Sequence, residues 1–124
     1  MKTKKITVQI KSLDEVLDEF VRVGKAVKAR KIVKPQKGTF VADVETARAI
    51  FTEGRLRIIQ VLKSKSPQSI YALAKLLNRD FKNVYEDVIF LAQLEVLKIE
   101  EATSGRKQKK PILLCDKILF EMVA

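Results

Sequence analysis

Alternating β-branched and polar side chains open the chain. In residues 5–10, KITVQI, Ile6, Val8 and Ile10 share one face, which predicts a short half-buried strand. Ser12 with Glu15 three residues on is a capping-box signature. Leu13, Val16, Leu17, Phe20, Val23, Gly24 and Val27 then recur at helical spacing, predicting a helix to about Arg30. Asp14 and Glu15 at its start and Lys28, Arg30 and Lys31 at its end both suit the helix dipole. Pro35 to Gly38 reads as a turn, and residues 39–42 as a second strand anchored by Phe40. Asp43 caps a helix running through Val44, Ala47, Ile50 and Phe51, with Thr52 and Gly54 marking a break.

The next apolar set is Leu56, Ile59 and Leu62, with Ile58 and Val61. It predicts a helix with Arg55 and Arg57 on its polar side, ended between Ser64 and Pro67. Ser69 caps a short helix over 70–77, with Ile70, Leu73, Ala74 and Leu77 inward, and Asn78 leaves it in the left-handed region. Asp80 caps a third helix over 81–96, whose inner face is Val84, Val88 and Leu91, joined by Phe90 and Leu94. Residues 98–101 predict a strand with Ile99 inward, Thr103 to Gly105 a turn, and 112–114 the returning strand. Ile118, Leu119, Phe120, Met122 and Val123 make the C-terminus too apolar for a free tail. A packed strand, a packed helix and a dimer contact all fit it.

Helix, short break, helix and polar hairpin in that order predict an α+β fold. It is a winged helix-turn-helix over 46–124, with an N-terminal strand-helix-strand extension over 1–45.

Charge narrows the partners. With 25 basic against 15 acidic side chains, the formal charge is +10. That excess attracts DNA, RNA or anionic lipid, while the bland alternative is a lysine-rich coat. No apolar run reaches membrane-span length and the N-terminus lacks the apolar core of a signal peptide, so a cytoplasmic protein is expected. The chain has no histidine, which removes a histidine-based triad, and its glycines form no phosphate-cradling loop; an enzyme is not expected. The single cysteine, Cys115, sits in an apolar run and reads as a buried inert thiol. No ligand cluster suggests a metal, and no cofactor is expected.

Within the helix-turn-helix, Lys82, Asn83, Tyr85 and Glu86 occupy polar positions near the start of the third helix. A helix fits the major groove, and its N-terminal side chains reach base edges. Lys82 suits guanine acceptors, Asn83 pairs bidentately with adenine, and Glu86 accepts from cytosine. Tyr85 suits a sugar or phosphate, and the capped helix start at Ser69 suits a phosphate. Asn83 also has a local backbone role open to it, and acidic Glu86 is repelled by DNA. Arg79 has two roles open, a phosphate contact or an ion pair; Asp87 is expected to pair with Lys75 or Arg79. The wing over 103–111, with Arg106, Lys107, Lys109 and Lys110, is expected on phosphates. No paired-aromatic motif for single strands is apparent, since Tyr71, Tyr85 and the phenylalanines fall mostly at core-like spacing.

The stretch SIYALAKLLNRDFKNVYEDVIFLAQLEVLKIE resembles winged-helix transcriptional regulators of the MarR-like and ArsR-like superfamily. More narrowly it resembles a group of small predicted DNA-binding regulators of archaea and bacteria, some antitoxin-like, that carry S-I-x-x-L-A, R-D-x-K-N-V-x-x-D-V and L-x-x-L. Here these are Ser69, Ile70, Leu73 and Ala74; Arg79, Asp80, Lys82, Asn83, Val84, Asp87 and Val88; and Leu91 and Leu94. The resemblance implies double-stranded DNA binding through the third helix, with Arg79, Lys82 and Asn83 as contacts. Two departures are Leu97, where such regulators often carry glycine, and a wing richer in lysine than arginine. Small size and operator symmetry add an expected homodimer. The alternatives are a protein-interaction module and a non-specific nucleic-acid binder. Sequence-specific DNA binding predicts a basic face joining the third helix to the wing; an interaction module predicts an exposed apolar patch there.

Overall fold

The computed structural model describes residues 5–23, 33–36, 38–101 and 108–123. The chain forms two compact units. The first comprises residues 1–51 with 117–124, and the second residues 52–116. The boundary expected at 45 thus falls at 51, and the C-terminus belongs with the N-terminal unit. The physical reason is strand pairing: the apolar tail is a strand hydrogen-bonded to the first strand of the chain.

In the first unit, β1 (Lys5–Ile10) is followed by α1 (Leu13–Val23), β2 (Val33–Gln36), β3 (Thr39–Ala42) and α2 (Val44–Ile50). The last strand of the chain completes its sheet. Ser12 caps α1 as expected: its Oγ accepts the Glu15 N–H at 3.3 Å and donates to the Glu15 carboxylate at 3.2 Å. The helix expected beyond Val23 lies outside the described residues. Asp43 caps α2, accepting the Thr46 N–H at 2.8 Å. The sheet order is β2-β3-β1 and then the C-terminal strand, with β1 parallel to β3 and β2 antiparallel to β3. Ile6 and Val8 are buried from β1, while Val41 of β3 meets Val16 of α1 in a small fully buried core.

β2 is not foreseen by the sequence pattern. Its basic, proline-containing stretch reads locally as a turn, and only pairing with β3 makes it extended. The turn itself is present at Gly38, where φ is 83° and the carbonyl accepts the Thr7 N–H at 2.8 Å. A Cβ there would lie 3.1 Å from the Lys5 carbonyl oxygen. Gly38→Ala is therefore expected to destabilise the first unit by about 1–2 kcal/mol, seen as an earlier denaturation midpoint. An unchanged midpoint would contradict this reading of the turn.

The second unit holds α3 (Glu53–Lys65), α4 (Ile70–Leu77), α5 (Phe81–Gln93), β4 (Leu97–Glu101) and β5 (Lys109–Leu113). Its core takes Ile58 and Leu62 from α3, Ile70, Leu73, Ala74 and Leu77 from α4, and Val84, Val88 and Leu91 from α5. Thr52 caps α3 through the Arg55 N–H at 3.3 Å, so Gly54 lies inside the first helical turn, just past the break. Two expectations on α3 are corrected. Leu56 is exposed, and Arg55 faces inward because it shares a face with Ile58 and Leu62. Ser66, at φ 45°, ends α3 just before buried Pro67.

Local chemistry sets the bounds of α4. Ser69 Oγ accepts the Ala72 N–H at 3.0 Å, and Asn78 turns left-handed at φ 53°. Asp80 stands extended before α5 but makes no side-chain cap bond, unlike the capping expected of it. α5 stops at Gln93 rather than 96. Glu95, at φ 62°, turns the chain, and the Val96 and Glu95 N–H groups return to the carbonyls of Leu91 and Ala92. That turn buries Val96 and Leu97 at the start of β4. β4 and β5 form an antiparallel two-stranded sheet that pairs Ile99 with Pro111. Cys115 is buried, as expected, with its thiol 3.8 Å from the Val96 carbonyl.

The remaining strand is β6 (Lys117–Met122), parallel to β1 and at the edge of the first unit's sheet. Gln9 and Glu121, paired across the two strands, are joined by a 3.2 Å hydrogen bond. The fold is thus small and mixed α+β, with an N-terminal strand-helix-strand segment followed by helices and a C-terminal sheet.

Candidate nucleic-acid interface

The amino-terminal half of α5 projects the residues singled out above. Lys82, Asn83 and Glu86 are exposed, and Tyr85 is half-buried. Helical spacing explains the division: Val84, Val88 and Leu91 take the inward stripe, which turns Lys82 and Glu86 to the opposite side. Lys109 of β5 comes to the same end of α5, its Nζ donating to the Tyr85 hydroxyl at 3.3 Å and standing 5.5 Å from the ring centroid. Ser69, at the start of α4, lines the same groove as Tyr85 and Lys109. Ser69, Tyr85 and Lys109 are therefore brought together across α4, α5 and β5.

The rest of the basic cluster divides. Arg106 and Lys107 lie outside the described residues. Lys109 and Lys110 pair across the hairpin with Glu101 and Glu100, so acidic side chains of β4 partly offset their charge. Glu100 also meets Lys98 at 3.2 Å, an exposed pair of small energetic weight.

Arg79 makes an ion pair, one of the two roles open to it. Its Nη2 lies 2.9 Å from Asp87 Oδ2, while Arg55 Nε holds the other carboxylate oxygen at 3.1 Å. The Arg79 Nη1 atom is buried, and a Cβ on Gly54 would lie 3.1 Å from it. Glycine at 54 thus leaves the space that the guanidinium fills. Arg55 also stacks over the Phe90 ring, 4.2 Å from its centroid. One carboxylate on α5 thereby ties together α3, the α4–α5 turn and α5, and this tie sets how α5 presents its outer face.

Sequence reasoning missed a row of aromatic rings. Phe81 stacks on Tyr85 with centroids 5.8 Å apart, and Tyr71 of α4 stands 6.3 Å from Phe81. Tyr71 and Phe81 are 59 % and 44 % exposed, so the spacing that looks core-like belongs to a surface. The signal was available: Phe81 and Tyr85 are four apart, and Tyr71 falls outside the inward set of α4. Lys75, one turn on from Tyr71, places its ammonium 4.9 Å from that ring's centroid.

Among the described residues no group of three or more His, Cys, Asp or Glu side chains is placed to hold a metal ion. No described helix is long and apolar enough to cross a membrane. In comparisons with known proteins, the family described as HVO_A0114 matches residues 50–120, more than half of the chain. No curated protein and no solved structure matches.

Proposed function

The chain belongs to the HVO_A0114 family, and we propose that it is a winged helix-turn-helix regulator of transcription that binds double-stranded DNA sequence-specifically. The observation that carries this reading is the solvent-facing start of α5. It offers Lys82 and Asn83 to base edges, with Lys109 of the β4–β5 hairpin at the same end. In this reading α4 and α5 are the two motif helices, α5 enters the major groove, and the hairpin is the wing on phosphates. Arg79 acts indirectly, by holding α5 through Asp87. Selection of duplexes from a random pool by the purified chain is expected to enrich a defined sequence. A pool that stays random after repeated rounds contradicts the reading.

A second reading, a protein-interaction module, is favoured by one observation: Tyr71 and Phe81 expose the apolar patch that such a module requires.

We also propose a homodimer through β6. Among the described residues this strand has one neighbour in the sheet, which leaves its other edge unpaired, and it exposes Leu119, Phe120 and Met122. Pairing two copies edge to edge would bury both features and match a two-fold operator. Sedimentation is expected to show a dimer at micromolar concentration, weakened at least about tenfold by Met122→Lys. A monomer at that concentration, with and without duplex DNA, contradicts it.

A further inference from the structure

We propose that the ring row Tyr71–Phe81–Tyr85 is a stacking platform for unpaired bases, so that the protein binds single-stranded nucleic acid on a surface that adjoins its duplex-reading residues and shares Tyr85 and Lys109 with them. The inference does not rest on the duplex reading. It uses Tyr71, Phe81 and Tyr85 with Lys75 and Lys109, whereas the duplex reading turns on Lys82 and Asn83.

Four observations converge. First, Tyr71 and Phe81 are exposed where burial would be favourable, and an exposed aromatic pair is uncommon on a protein surface without a partner. Second, adjacent ring centroids are 5.8 and 6.3 Å apart, wider than the rise of about 3.4 Å per stacked base in a duplex strand. A base inserted between two rings would need about 6.8 Å, twice that rise, so bases would lie along the outer side of the row, where only unpaired bases can reach. Third, a lysine ammonium lies over the terminal ring at each end of the row, Lys75 over one face of Tyr71 and Lys109 over one face of Tyr85. Charges at both ends of an aromatic track suit a polyanionic backbone running along it. Fourth, the groove beside Tyr85 is lined by Ser69, Gln108 and Lys109 together with the rings, with no acidic side chain among the described residues. Asp80 lies on the other flank of the row, in company with Lys75 and Arg79.

A protein partner would also value the exposed rings. The lysines at both ends and the formal charge of +10 favour a polyanion over it. DNA and RNA single strands share the chemistry invoked here, an exposed base face on a phosphate chain, and the experiment separates them.

The chain carries its own reporter. It has two tyrosines and no tryptophan, and both tyrosines are in the row, so intrinsic tyrosine emission reads this site. The full chain should be titrated with a thymidine 15-mer, a uridine 15-mer and a duplex of about the same length. Saturable quenching by the single strands, stronger than by the duplex, is expected; the DNA-to-RNA ratio then identifies the preferred strand. Phe81→Ala keeps both tyrosines and changes an exposed residue. It should weaken single-strand binding about 5- to 150-fold, the effect of losing one base stack, with its circular dichroism unchanged. Lys75→Gln with Lys109→Gln should lower the salt slope by up to roughly 1.4. Three results would overturn the proposal: no quenching by single strands, equal or stronger quenching by the duplex, or displacement by polyglutamate as effective as by the 15-mers. Lys82→Ala with Asn83→Ala should leave single-strand quenching in place, so failure here and failure of the duplex reading are distinguishable.

Discussion

Asp87→Ala is expected to destabilise the 52–116 unit by roughly 2–3 kcal/mol. Asp87 holds Arg55 at 3.1 Å and Arg79 at 2.9 Å, with only 16 % of its side chain exposed. Removing it leaves two guanidinium groups facing each other across the space the carboxylate filled. Breaking a buried pair by deleting one partner costs about 3–5 kcal/mol, whereas an exposed pair is worth about 0–1 kcal/mol. The Arg55 and Arg79 side chains are 19 % and 32 % exposed, which places this network between those limits and nearer the first. Asp87→Asn keeps a hydrogen-bond acceptor and should lose less. Denaturant unfolding of the two variants checks the order, and a loss below about 0.5 kcal/mol for alanine would show that the network behaves as a surface pair.

The same network shows what a single sequence can and cannot disclose. Ser69, Asn78 and Pro67 are local signals, a cap, a left-handed stop and a helix breaker, and they place α4 to the residue. The alternation of Ile6 and Val8 likewise places β1. Arg55 was assigned to a polar side because arginine is charged. Its spacing from Ile58 and Leu62 puts it on the buried face, and a partner 32 residues away makes that position tolerable. β6 depends on pairing across more than a hundred residues, so its apolar run has no local feature to separate strand from helix. β2 fails for a different, local reason: Pro35 and its neighbours carry turn-forming residues and read as a turn until β3, the next strand, lies alongside. At the site, the outward set Lys82, Asn83 and Glu86 follows from helix period alone. The meeting of Tyr85 with Lys109 and of Phe81 with Tyr71 required the packing of separate elements.

The largest effect on binding is expected from Lys82→Ala combined with Asn83→Ala. Each side chain is exposed on α5, so neither substitution opens a cavity or unpairs a buried group. A bidentate contact to the right base is worth about 1–3 kcal/mol of discrimination. Losing both should therefore weaken binding to the preferred duplex by about 2 kcal/mol, roughly thirtyfold, with coupling between these adjacent residues shifting the sum by about 0.5 kcal/mol or more in either direction. Binding to unrelated duplexes should fall much less, because it rests on phosphate contacts that the hairpin lysines still supply. The salt slope should change little, because Lys82 is assigned to a base edge and the phosphate contacts stay in place.

The direct test is the ratio of affinities for a selected duplex and its scrambled counterpart, measured at one salt concentration for the native chain and this double variant. The account predicts a large ratio for the native chain that collapses toward one in the variant. A native ratio of one, or an equal weakening on both duplexes that leaves the ratio intact, would contradict base reading by α5.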